Sequence, residues 1–129
     1  MTLPTLADAI AVNEALREDD ELPEFEADAD ELDRVEAALS RVREAGKDPI
    51  DVAAALLFCI AVEQGFHEGN KRTAYVLARD YLLDANPDDA DRLLPEEYDA
   101  DVCDQLVAAA RGDNVKDAIA ELLRSRSQV

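Results

Sequence analysis

The sequence predicts an all-α fold, a single domain of about six helices around one central apolar helix, and three observations carry that expectation. Apolar residues recur at the 3.6-residue period of a helix along most of the chain. Residues 52–62 are apolar on every side, which a surface helix does not tolerate and a core helix requires. No stretch alternates apolar and polar at the period of a strand, and no two-residue hairpin turn appears. The 129 residues suffice for one core, and no long Gly/Ser/Pro linker divides them, so residues 1–129 are read as one domain.

Leu6, Ile10, Ala11 and Leu16 fall near one face of a first helix over residues 5–17. Residues 18–29 contain Pro23 and mostly carboxylates, a solvated loop that Phe25 would pin to the core. Asp30 is a suitable cap for a second helix over residues 30–45, with Leu32, Val35, Ala38, Leu39 and Val42 facing inward and Gly46 beyond its end. Asp48-Pro49 opens the third, central helix, with aspartate as N-cap and proline at the first helical position, where its missing N–H costs nothing. Glu63-Gln64-Gly65 ends the apolar run. A fourth helix resumes near Asn70 and reaches about Leu83, with Ala74, Leu77, Ala78, Tyr81 and Leu82 on one face. An Asp-rich loop with Pro87 and Pro95 follows, with a short turn over residues 89–93. Two last helices, over residues 100–111 and 115–124, are separated at Gly112-Asp113.

Charge narrows the function. The net charge of -18 comes from 31 acidic against 13 basic residues, and such a field repels nucleic-acid phosphates, so direct nucleic-acid binding is not expected. A hydrophobic content of 48% with helical periodicity argues against a disordered acidic chain. Excess aspartate with few lysines, only Lys47, Lys71 and Lys116, suits a protein kept soluble in concentrated salt, and a halophilic source is the preferred account. The longest apolar run, residues 52–62, falls short of the ~20 residues of a membrane span, and no basic-then-apolar leader opens the chain. A soluble cytoplasmic protein with no membrane partner is therefore expected. Cys59 and Cys103 have no metal-ligand spacing and read as buried apolar thiols. Tyr75, Tyr81 and Tyr98 read as core or rim aromatics.

The chemistry concentrates in Phe66-His67-Glu68-Gly69-Asn70-Lys71-Arg72-Thr73-Ala74, where a helix restarts. The first N–H groups of a helix lack intrahelical partners and its dipole places partial positive charge there, so an anion is stabilised. Gly69 lacks the Cβ that would hold a phosphate off the backbone, Asn70 offers an amide, and Lys71 and Arg72 add two charges in an otherwise acidic chain. Glu68 suits a Mg2+ ion bridging phosphates better than a bare phosphate. Together these residues point to a nucleotide.

In this register the stretch resembles the signature of the Fic/Doc family, of the form HxFx(D/E)xNKRTA in its Doc (death-on-curing) branch. Lys71 falls where AMP-transferring members carry Gly, and Tyr75 where they carry a second Arg, so the resemblance is to Doc, and AMP transfer is the less favoured alternative. The helical order is similar over nearly the whole chain. The resemblance implies the toxin of a type II toxin–antitoxin pair, inhibited by a separate antitoxin and moving the γ-phosphate of ATP to a threonine of translation elongation factor Tu. By position, Glu68 would hold Mg2+, Asn70 would bond phosphate, and Gly69, Lys71 and Arg72 would complete the ATP site, with Phe66 packing into the core to fix the loop. Gln64 falls where the motif has its catalytic histidine. A glutamine amide has no usable basicity, and loss of a positioned general base costs about 10²- to 10⁴-fold in rate. Gln64 would then only orient a hydroxyl, and His67, the one histidine in the chain, is the other candidate for the base. A Fic/Doc-fold protein that binds nucleotide or antitoxin but has lost transfer is the alternative. Glu63 reads as a surface carboxylate, and Arg79 as a partner for a helix-face acid.

Overall fold

Asp48 starts the central helix as the sequence predicts, its carboxylate accepting from the Ile50 N–H at 3.0 Å while Pro49 occupies the first helical position. The computed structural model describes residues 3–19, 29–66, 69–97 and 99–127. Among them it has seven helices and no strand: α1 (Leu6–Asp19), α2 (Ala29–Arg43), α3 (Pro49–Glu63), α4 (Asn70–Ala85), α5 (Ala90–Leu93), α6 (Ala100–Ala110) and α7 (Lys116–Ser127). Every residue from Val52 through Ala61 is buried, because α3 is covered by α2, α4, α6 and α7. Each of its large side chains contributes ~1.5–3 kcal/mol by leaving water, which is why a helix with no polar face is stable only at this position. Burial pushes the Cys59 thiol up, with Arg41 opposing, so that sulfur stays protonated. None of the described helices is long and apolar enough to cross a membrane.

The inner faces of α2 and α4 follow the expected periodicity, with Val35, Ala38, Leu39 and Val42 on one and Ala74, Leu77, Ala78, Tyr81 and Leu82 on the other all buried. Leu32 is half-buried. α2 ends at Arg43, two residues early, because the Glu44 and Ala45 N–H groups turn back to the carbonyls of Arg41 and Val42 in tighter three-residue turns. It starts at Ala29, so Asp30 lies inside its first turn, where a carboxylate complements the helix dipole.

α1 departs most from the sequence reading. Its buried residues are Ala9, Asn13 and Arg17, whereas Leu6, Ile10 and Leu16 are half-buried on the flank and Ala11 is exposed. α1 runs antiparallel along α4: Asn13 bonds Thr73 near the start of α4, and Asp8, Ala11 and Val12 share a cleft with Leu77, Asp80, Tyr81 and Asp84 near its end. The turn expected over residues 89–93 forms a seventh helix, tied to α4 by Arg79 and Asp91 at 2.7 Å. Tyr75 is buried and its hydroxyl donates to the Pro95 carbonyl at 2.7 Å; Tyr81 is buried too. Cys103 is half-buried, not buried, since it lies on the flank of α6. Phe25 and Tyr98 lie outside the described residues.

Candidate functional site

The candidate loop begins where α3 stops. Gln64 takes the left-handed conformation at φ 48°, which costs a residue with a Cβ ~1 kcal/mol, and closes the helix with its N–H on the Ile60 carbonyl. Its side chain then reaches across to the C-terminal end of α6, where Nε2 donates to the Ala110 carbonyl at 2.6 Å. Gly65 passes directly against α2. A Cβ there would stand 2.5 Å from Val35 Cγ2 and 2.9 Å from both the Glu31 carbonyl oxygen and the Val35 nitrogen. Phe66 is 5% exposed and joins the core, as the sequence reading expects. Asn70 clasps the same residue from below: its Oδ1 accepts from the Phe66 N–H at 2.9 Å and its Nδ2 donates to the Phe66 carbonyl at 2.8 Å. One Nδ2 hydrogen is left over. The amide expected to bond phosphate therefore holds the loop closed.

The start of α4 is built around Gly69, in the left-handed region at φ 80°. As N-cap it brings no side-chain acceptor to the first turn, so those N–H groups receive none from it. The Thr73 N–H bonds the Gly69 carbonyl at 2.8 Å and completes the first turn. Lys71 is exposed, and Arg72 is half-buried and held by further interactions. The helix dipole, an N-cap without a side-chain acceptor and two cations thus coincide within one turn, an arrangement that stabilises a phosphate. The Cβ that Gly69 lacks would face Asn13 Nδ2 at 3.1 Å, so the glycine makes room for α1 and not for the anion.

Asn13, to which the sequence reading gave no role, reaches this site from α1 and meets Thr73 of the motif stretch. Asn13, Arg17 and Thr73 are the buried polar or charged residues of the described structure, and Asn13 Nδ2 donates to Thr73 Oγ1 at 3.2 Å. The available signal was spacing, since Asn13 and Arg17 are four apart and share a helix face with Ala9.

The structure brings Gly69, Asn70, Lys71 and Arg72 together, and places Gln64 at the opposite end of the same loop with its amide on α6. His67 and Glu68, the candidate base and the candidate Mg2+ ligand, lie outside the described residues. Among the described residues no group of three His, Cys, Asp or Glu is placed to hold a metal ion. Glu63 pairs with Arg41 at 2.8 Å, whose guanidinium sits 6.0 Å from the Phe58 ring centre. Clefts of about 410 Å³ between α3, α7 and the turn after α2 and about 330 Å³ between α1 and α4 are lined by no residue of the 64–72 segment.

The curated proteins contain no match to this chain. The family model for the Fic/DOC family matches residues 8–82, more than half of the chain, from α1 through the buried face of α4 and across the whole candidate loop. The chain belongs to the Fic/DOC family.

Proposed function

We propose that this is a Doc-like toxin that moves the γ-phosphate of ATP to a hydroxyl of a translation elongation factor, with Gln64 attenuating the step and a cognate antitoxin protein as its inhibitor. The observation that carries the reading is the start of α4, where Gly69 brings no side-chain acceptor to the first-turn N–H groups and Lys71 and Arg72 stand on that turn. These groups fit a phosphate on the chemistry of the donor set: backbone N–H, ammonium and guanidinium. Mg2+ would supply charge neutralisation to the phosphates of ATP and would need only one or two protein carboxylates, the part Glu68 would take.

In this reading the acceptor oxygen forms the new bond to the γ-phosphorus, the bond to the bridging oxygen breaks, ADP leaves, and the hydroxyl proton passes to water. Lys71 and Arg72 hold the phosphates, and the clasp of Asn70 on Phe66 keeps the loop from shifting as charge moves. The proton of the hydroxyl is the difficulty. Gln64 has no basicity, although a loose phosphoryl-transfer transition state depends less on early deprotonation. The second reading, a Fic/Doc-fold protein that binds nucleotide or antitoxin without transfer, is favoured by one observation. The Gln64 amide is already spent on the Ala110 carbonyl at 2.6 Å.

Expression of the chain alone in a host with high internal salt separates the two. Growth arrest that Arg72→Ala removes is expected of the enzyme. Normal growth, with arrest appearing in Gln64→His, identifies a disarmed toxin that still binds. Normal growth in both refutes the toxin reading, and transfer of labelled γ-phosphate by the purified protein checks the chemistry directly.

A further inference from the structure

Two of the three buried polar or charged residues of the described structure meet each other: Asn13 is 3% exposed and Thr73 0%, and Asn13 Nδ2 donates to Thr73 Oγ1. Asn13 and Thr73 meet between α1 and the first turn of α4, which is the end of α4 that carries Gly69, Lys71 and Arg72. Farther along α4 the buried residues are aliphatic or aromatic, Leu77, Ala78, Tyr81 and Leu82. An aliphatic residue at position 13 would pack against α4 without desolvating an amide.

The geometry gives the amide a task. Asn13 Nδ2 donates to Thr73 Oγ1 at 3.2 Å and lies 3.1 Å from the point where a Gly69 Cβ would stand. The Thr73 N–H in turn bonds the Gly69 carbonyl at 2.8 Å. Thr73 is therefore held by its side chain from α1 and by its main chain from Gly69, and Asn13 backs directly onto the Gly69 Cα. The three residues form a closed brace at the first turn of α4. The same contact ties residue 69 to glycine, because any side chain would press on the Asn13 amide as well as strain the backbone.

We propose that Asn13 is a positioning residue which, through Thr73 and Gly69, sets the first-turn N–H groups of α4 in the geometry that receives a nucleotide phosphate. The proposal rests on the nucleotide reading of that loop. Asn13 touches no phosphate; it acts on the ligand only through the placement of the turn.

The test uses the full chain in high salt and three readouts: the dissociation constant of Mg-ATP by calorimetry, the melting midpoint, and amide hydrogen exchange at residues 73–75, the first bonded amides of α4, compared with residues 52–61. Asn13→Leu is expected to weaken Mg-ATP about tenfold, the equivalent of 1.4 kcal/mol, and to speed exchange at residues 73–75 without changing it at 52–61. Thr73→Val should produce the same loss, and the double variant should be no worse than either single one, because both break one brace. Thr73→Ser keeps the hydroxyl and should keep the affinity. Unchanged affinity and unchanged exchange at 73–75, with only a lower melting midpoint, would overturn the proposal and leave Asn13 a packing residue. If the wild-type chain binds no ATP, the nucleotide reading fails separately. Exchange at 73–75 then judges the brace alone: acceleration upholds it, and none overturns it. Should Asn13→Leu fail to fold, Thr73→Val against Thr73→Ser decides the same question.

Discussion

Gly65 shows how a single missing Cβ places the whole loop. It is buried beneath α2, and two of the three atoms an added Cβ would meet are backbone, the Glu31 carbonyl oxygen and the Val35 nitrogen at 2.9 Å. Backbone within a packed helix cannot swing aside as the tip of a side chain can, so Gly65→Ala must push α2 away from the end of α3. Overpacking of this kind costs ~1–3 kcal/mol, and urea unfolding should show the loss as a lower midpoint at unchanged slope. A loss below about 0.5 kcal/mol, the range of ordinary surface substitutions, would mean that α2 yields there. None of this was legible in the sequence, where Gly65 reads only as the end of an apolar run. Its partners lie 30 residues or more upstream, as the acceptor of Gln64 lies 46 residues downstream, and local pattern says nothing about either. Asn70 is a similar case. Residue type and position suggested a phosphate donor, while the double bond to Phe66 appears only once the loop is folded.

At the level of elements the sequence is read best where burial is complete and capping is local. The run over residues 52–62 identified α3 as the core, and Asp48-Pro49 placed its start, because both signals lie within the helix and its cap. The leucines and isoleucine of α1 suggest an apolar stripe, whereas the residues it buries are Ala9, Asn13 and Arg17, and Asn13 bonds Thr73 of α4. The junction of α6 and α7 offers a test of capping combined with an ion pair. Asp99 caps α6 by accepting from the Val102 N–H at 3.1 Å, and it receives Arg126 of α7 at 2.8 Å. Burial opposes the Asp99 charge, but Arg126 and the backbone N–H groups outweigh it and hold the carboxyl below its ordinary range. A carboxylate whose folded pKa lies below the unfolded value stabilises fully above the unfolded value and loses that contribution as pH falls through the folded one. Asp99→Ala should therefore cost ~1–3 kcal/mol at neutral pH, from the lost cap and the charged hydrogen bond. The gap to wild type should close in acid, below the lowered pKa of Asp99. An equal loss at neutral and acid pH would show that the charge contributes nothing.

For the molecule as a whole the dominant quantity is the net charge of -18. Arginines 41, 43, 79, 92, 111, 124 and 126 are each paired with a carboxylate, yet 31 acidic residues against 13 basic leave most carboxylates in surplus. Exposed pairs of this sort contribute ~0–1 kcal/mol each and are themselves screened by salt. Repulsion among the surplus carboxylates acts over longer distances, so it is relieved first as the screening length shortens from ~10 Å at 0.1 M salt to ~3 Å at 1 M. The two effects oppose each other, and the imbalance of charge decides that repulsion is the larger. The melting midpoint should therefore rise as KCl is increased from 0.1 M to 1 M. KCl is the appropriate salt, because sulfate would raise the midpoint by exclusion from the protein surface whatever the charge. A midpoint that falls over this range would mean that the arginine pairs outweigh the repulsion, and the inference of a protein suited to concentrated salt would fall with it.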